Sequence, residues 1–305
     1  MGSHVHTAAV GERLGADKAS GVTGVYAGGE LNGTTIRGTT ITGIGAGSSG
    51  IILANASNLS VGGLAAGETN AITGAQYGLQ AQGDLTGTVV QGGSVSGADY
   101  GLLLSSAQGI EISGNNTFLG SSRYGVIVSG DSAGTVIQNS TIDTVDGASN
   151  GTQYSVYLVN ATGLEFGGTG ANEGNRVSGG DYGVYATGTL STASVSGSTI
   201  DGANGTRYGI YLSSATNLTV GGAGVNSRNE VSNATYGLFG VGSLAGTSVL
   251  GNQFENGSYG AVLSSVNDLT MSGNNTFTDY AQYSFFALGD SSGTQVANNT
   301  FAGGN

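Results

Sequence analysis

The chain contains no cysteine, no proline and no tryptophan in 305 residues. Without cysteine it can form no disulfide and offers no thiolate as nucleophile or metal ligand. Average proline usage is about 5%, so the complete absence of proline is informative. Every backbone N–H is kept, as a continuous β-ladder requires. Charge is also scarce: 7 Lys+Arg stand against 19 Asp+Glu, for a net charge of −12. That balance speaks against nucleic acid and anionic lipid as partners. No apolar run reaches the ~18 residues of a spanning helix, so membrane insertion is not expected. What the chain does have is 60 glycines. They follow no Gly-X-Y period, which excludes collagen, and the 38% apolar content excludes ordinary disorder.

The opening Met1–His4 reads as an expression scar, and residues 1–23 as that scar followed by a short helical or irregular N-terminal cap. From residue 24 a short phrase recurs: usually Tyr, then Gly or Ser, then an apolar residue, any residue, and an apolar or small one. Its Gly/Ser falls at Gly24, Gly50, Gly78, Gly101, Gly125, Ser155, Gly183, Gly209, Gly237, Gly260 and Ser284. The spacing order 26, 28, 23, 24 occurs twice, so residues 24–146 align with 183–305 without a gap, offset by 159. Each unit holds three short alternating patches between Gly, Ser, Asn and Thr, a strand signal rather than a helical one. Such a unit cannot bury its apolar face alone and must stack on its neighbours. Parallel crossovers are nearly always right-handed. The expected fold is therefore all-β: a right-handed parallel β-helix solenoid of about 11 rungs over 24–305, each rung with three strands and ~4.8 Å from the next.

The phrases Gly114–Phe118 and Gly273–Phe277 (GNNTF) and Tyr208–Gly222 (YGIYLSSATNLTVGG) resemble the right-handed parallel β-helix repeat family. They are most similar to the repetitive surface and secreted proteins of bacteria, adhesins and autotransporter passengers among them. The resemblance implies a fold. It implies no single activity, because the same repeat serves polysaccharide lyases, hydrolases, epimerases, tailspikes and adhesins. The resemblance also brings an expectation of clustered acids or bases in enzymes of this type. From residue 24 on there is no His or Lys, and the only bases are Arg37, Arg123, Arg176, Arg207 and Arg228, read as isolated solvated side chains. Glu111 and Glu165 share an outward position two rungs apart, but Val136 lies between them. Glu30, Asp84, Asp131 and Asp290 form a turn column too sparse for calcium. No catalytic residue, metal site or cofactor is assigned.

Core positions alternate in size. Leu53, Leu104, Leu158, Leu212 and Leu263 on even rungs face Ala27, Ala81, Val128, Ala186, Gly240 and Ala287 on odd ones. Asn70, Asn116, Asn175, Asn229 and Asn275 precede the third strand at one offset and are expected to bond along the stack. The tyrosines that open nine rungs, Tyr182 among them, are expected to stack in one column with the parity of the core. Many Asn-X-Ser/Thr triplets, including those at Asn32 and Asn217, follow from composition.

The outward column of the first strand is not polar. Tyr26, Tyr157, Tyr185, Tyr211, Phe239 and Phe286 stand in it with Ile52, Leu103, Ile127, Val262 and a single Gln80. A contiguous apolar surface of this kind marks an interaction site, and these six aromatics are the candidate binding residues. The expected function is a non-catalytic structural or adhesive segment of a larger secreted or cell-surface bacterial protein. The chain's last rung, stopping at Phe301 with no capping repeat, suggests that larger context. The alternative is a carbohydrate-active β-helix: a polysaccharide-binding module, or else a lyase, hydrolase or epimerase. Expected partners are a polysaccharide or another surface protein, with the chain a monomer or associated end to end or laterally.

Overall fold

A computed structural model describes residues 4–7, 23–42, 46–145, 152–203 and 205–303. Twenty-eight strands coil into about 11 turns of a parallel β-solenoid, with one 3-10 turn at Val225–Ser227 and no α-helix among the described residues. The first sheet is built from the recurring phrase, for example Tyr154–Thr162 over Tyr124–Asp131 and under Tyr182–Ser196. The second runs through segments such as Val136–Ile137 and Glu165–Gly167, the third through Ser140–Thr144 and Arg176–Ser178. All pairings are parallel save one: His4–Thr7 lies antiparallel on Thr23–Glu30 at the first rung. Those four residues are thus a strand, where a helical or irregular cap was expected. Most of the remaining cap segment falls outside the described residues.

Register follows the size alternation. Leu158 lies between Val128 and Ala186, and Leu212 between Ala186 and Gly240. These side chains are fully buried, in one core cluster that runs the length of the coil. Bulky layers fill the space left by small ones, so side chains of successive rungs interdigitate.

Polar ladders fix the corners. Buried Thr135 and Thr247 on odd rungs donate their hydroxyls to Ala107 O and Ala215 O, at 2.6 and 2.7 Å. Asn229 Nδ2 donates to Val195 O at 2.8 Å and to Asn252 Oδ1 at 2.9 Å. Asn252 continues to Asn275 Oδ1 at 3.0 Å, and Asn275 to Asn299 Oδ1 at 2.8 Å. The asparagine ladder therefore includes odd rungs near the C-terminus, beyond the even-rung positions expected. Asn55, Asn58, Asn115, Asn139, Asn160, Asn217, Asn233, Asn256, Asn274 and Asn298 have φ between 47 and 64°. Asparagine tolerates that left-handed region, which accounts for these triplets as a product of bend geometry.

The tyrosines stack as expected but on the outside. At rung six Ser155 and Val156 are both buried while Tyr154 is half-buried, so the chain bends at this position and the alternation restarts. The bend explains the usual glycine. A Cβ on Gly183 would lie 2.6 Å from Ile200 Cγ2 and 2.7 Å from Gly209 O.

Asn252→Ala tests the polar ladder. It removes the donor to Val220 O and the acceptor for Asn229, and an orphaned buried partner costs about 1–3 kcal/mol. Urea unfolding should show a midpoint lowered by a loss of about 2–4 kcal/mol, whereas an unchanged midpoint would mean that the ladder contributes nothing.

Candidate functional site

The outward column of the first sheet is where the sequence places it: Tyr157 pairs in register with Tyr185, Tyr185 with Tyr211, and Tyr211 with Phe239. Their rings stack at centroid separations of 5.2, 5.1 and 5.1 Å. The corner column, Tyr154, Tyr182, Tyr208 and Tyr236, stacks beside them at 4.9, 4.9 and 5.0 Å. The two columns meet edge to face, as Tyr182 does with Tyr185 at 5.3 Å and 84°. Offset stacking and edge contacts are the geometries the ring quadrupole favours. The consequence for recognition is direct: the four central rings turn much of their faces to one another and leave mainly edges to solvent. Tyr26 and Phe286 at the ends are more open, 40% and 37% exposed. Tyr26 borders a hollow that also involves Gln80, Gln82, Leu103 and Ser105.

The acidic turn column serves local structure. Asp84 accepts from Thr86 N at 3.0 Å, Asp131 from Ala133 N at 3.2 Å and Asp290 from Ser292 N at 3.1 Å. Hydrogen bonds from Thr86 hold the Asp84 carboxyl below its usual value. Glu111 and Glu165 behave differently. They lie on the outer face of the second sheet on either side of Val136, two rungs or ~9.6 Å apart by strand spacing. A groove along this face, over four successive rungs, is lined by Val89, Glu111, Val136, Gln138, Glu165 and Glu173. Glu173 comes from the long connection between the second and third sheets at rung six and also accepts from Gly170 N at 2.5 Å. Sequence spacing reveals the Glu111–Glu165 column, but the contribution of Glu173 depends on how its loop folds back.

The arginines are not isolated. Arg37 pairs with Glu68 at 2.6 Å. Arg123 lies over the Tyr100 ring at 6.0 Å and Arg207 over Tyr208 at 5.1 Å, cation–π positions. Arg176 and Arg228 line one notch with Asn172, Ser198, Asn226 and Glu230. Two long loops, at rungs six and eight, bracket the short Gly197–Ser198 turn of rung seven. Reading each arginine by its local sequence missed this convergence, because the two lie in different turns of the coil.

No protein-family model matches the chain, and no curated protein does. Solved structures do. An alginate lyase from Paenibacillus is 13% identical, with 89% of this chain and 99% of that chain covered and a TM-score of 0.44. The A-module of a mannuronan C-5 epimerase from Azotobacter vinelandii is 12% identical over 88% and 78%, with a TM-score of 0.45. The catalytic unit of an α-1,3-glucanase from Streptomyces thermodiastaticus is 12% identical over 87% and 65%, with a TM-score of 0.37. Likeness at this level transfers no residue role. These neighbours are carbohydrate-active enzymes, a finding against the expected non-catalytic structural or adhesive segment. Resemblance to adhesins or autotransporter passengers is not found in these matches. No helix among the described residues is long and apolar enough to cross a membrane.

The aromatic ladders carry an alkaline signature. Burial first, and neighbouring tyrosines second, push the Tyr154 phenol up to about 12 from 10.0. Tyr157, Tyr182, Tyr208 and Tyr211 are raised as well, chiefly by burial. A raised folded-state value means the unfolded chain loses these protons first. The stability from the neutral rings is complete below pH 10 and falls as pH rises toward 12. Spectrophotometric titration should show a tyrosine class ionising late, with unfolding setting in across that window. All fourteen tyrosines titrating together near pH 10 in the folded protein would contradict the packing.

Proposed function

We propose that the chain is a carbohydrate-active β-helix that holds an extended polysaccharide along the outer face of its second sheet. The observation that carries this reading is the groove over rungs three to six, with Glu111, Gln138, Glu165 and Glu173 on its walls and floor. A glycan presents hydroxyls at regular intervals along its length, and the coil presents outward side chains at every ~4.8 Å. Carboxylates accept from hydroxyls in charge-assisted bonds, and an amide such as Gln138 both donates and accepts. Val89 and Val136 on the same face supply apolar contact for the ring carbons. The neighbouring structures act on polysaccharides and support the same substrate class. A secreted or cell-surface location belongs to this reading, because such polymers are met outside the cell.

A second reading uses the aromatic column of Tyr26, Tyr157, Tyr185, Tyr211, Phe239 and Phe286. Its supporting observation is the hollow beside Tyr26, where an exposed ring sits with two glutamine side chains, Gln80 and Gln82. There a sugar ring could stack. Along the centre of the column it would meet ring edges instead.

Affinity electrophoresis against a panel of polysaccharides, with reducing-end assays run in parallel, tests both readings. Binding through the groove should weaken by about tenfold or more in Glu111→Ala/Glu165→Ala, from two lost charge-assisted bonds, while Tyr26→Ser leaves it unchanged. The opposite pattern would move the site to the aromatic hollow. Turnover abolished by Glu111→Gln or Glu165→Gln would make the pair catalytic, at a separation close to the roughly 6.5–9.5 Å of inverting glycosidases. Absence of binding to every polysaccharide would sink the proposal.

A further inference from the structure

We infer that the notch between the rung-six and rung-eight loops is an anion site, built to take one carboxylate or sulfate group of a saccharide unit. The inference rests on the polysaccharide reading above and narrows its substrate class.

From residue 24 on the chain has five arginines and no lysine or histidine. Arg37 is neutralised by Glu68 at 2.6 Å, the single ion pair among the described residues. Arg123 and Arg207 are laid over tyrosine rings of the corner column. That leaves Arg176 and Arg228, which line the same notch. Arg228 Nη1 donates to Gln253 Oε1 at 3.2 Å, a neutral partner that orients the guanidinium without cancelling its charge. Both arginines are exposed.

The acids of the same face are engaged elsewhere. Asp143 accepts from Ser178 Oγ at 2.7 Å. Asp201 accepts from Ala203 N at 3.0 Å and Asn233 Nδ2 at 2.9 Å. Glu255 accepts from Gln253 Nε2 at 3.0 Å. Glu230 is the one carboxylate that lines the notch, and no arginine lies within ion-pair distance of it among the described residues. The result is a local excess of positive charge on a protein whose net charge is −12. At physiological ionic strength the Debye length is about 8 Å, so remote carboxylates are screened and the two guanidinium groups govern what enters.

The chemistry then selects the ligand. Guanidinium groups grip carboxylates and sulfates through paired N–H bonds. Glu230 suits a ligand hydroxyl, which can donate to it, and so do Asn172 and Asn226 on the two loops. A group bearing both an anionic substituent and hydroxyls matches this set; a bare hydrocarbon or a cation does not. The floor is rigid, because Asn175 and Asn229 are buried and hydrogen-bonded to Ile137 O and Val195 O at 2.8 Å each. The notch also has no counterpart elsewhere in the described coil. It needs two long loops two rungs apart: rung two also carries a long loop, between the strands Ser60–Gly62 and Ala71–Thr73, but at rungs four and ten the Gly114–Asn115 and Gly273–Asn274 turns are short.

The test is isothermal titration and NMR of the arginine side chains with three probes: glucuronate, glucose 6-sulfate and glucose. The wild-type protein should bind one or both charged sugars at least tenfold more tightly than glucose, and a preference between them identifies the anion. Arg176→Ala/Arg228→Ala should abolish the discrimination. Both residues are exposed, and unchanged circular dichroism would confirm that the variant folds. Arg176→Lys/Arg228→Lys should restore part of it. Equal affinity for charged and neutral sugars, or discrimination that survives the double alanine change, overturns the inference. Inorganic sulfate separates the two levels of the account. Sulfate that shifts the Arg176 and Arg228 signals while no polysaccharide binds leaves the anion site standing and removes the polysaccharide reading. Polysaccharide binding lost with Glu111 and Glu165, but indifferent to both arginines and to charge, does the reverse.

Discussion

Rung-to-rung register is the constraint on which everything else depends. Apart from turn bonds such as Thr135 N to Ser132 O at 2.9 Å, each rung directs its backbone hydrogen bonds to the rungs above and below. A slip by one residue would turn every core side chain outward. Three devices prevent it. The alternation of leucine with alanine, valine or glycine lets a layer fit its true neighbours better than its own kind. Threonine hydroxyls and asparagine amides lock each rung to a carbonyl of the preceding one, as Thr247 does to Ala215 O and Asn252 to Val220 O. Tyrosine stacks on tyrosine outside the corner, with neighbouring rings held about one rung apart.

The same register creates the sites. Because equivalent positions recur every rung, an outward side chain becomes a column, and a column of mixed glutamate, glutamine and valine becomes a groove. Departures from the repeat add shape. The loops at rungs six and eight exceed the short turns at rungs seven and ten, and the notch between them is the consequence. Glycine supports these departures where no side chain fits: Gly197 has φ +62° and a Cβ there would stand 2.5 Å from both Gly168 O and Asn226 O.

Most of the fold was legible in the sequence because the repeat sets it. The phrase positions predict the first-sheet strands, and the parity of Tyr157 and Leu158 within them is correct. The tyrosine corner was placed on the wrong side, since alternation counted across Gly183 ignores the bend that this glycine permits. The candidate site was legible only in part. Columns such as Glu111 and Glu165 follow from counting rungs. Loop-borne groups do not: Glu173 joins the groove, and Arg176 meets Arg228, through connections whose lengths vary and whose paths no period dictates. The aromatic column was readable as outward, but its rings' attachment to one another, which decides what they can offer a ligand, required three dimensions.

Function therefore rests on surface chemistry laid over a scaffold that many activities share. The most direct measurement is a co-crystal structure with the tightest-binding oligosaccharide. Sugar density is expected along the second sheet over rungs three to six, within hydrogen-bond distance of Glu111, Gln138 and Glu165. Density confined to the first-sheet aromatics, with that groove left to solvent, would contradict it.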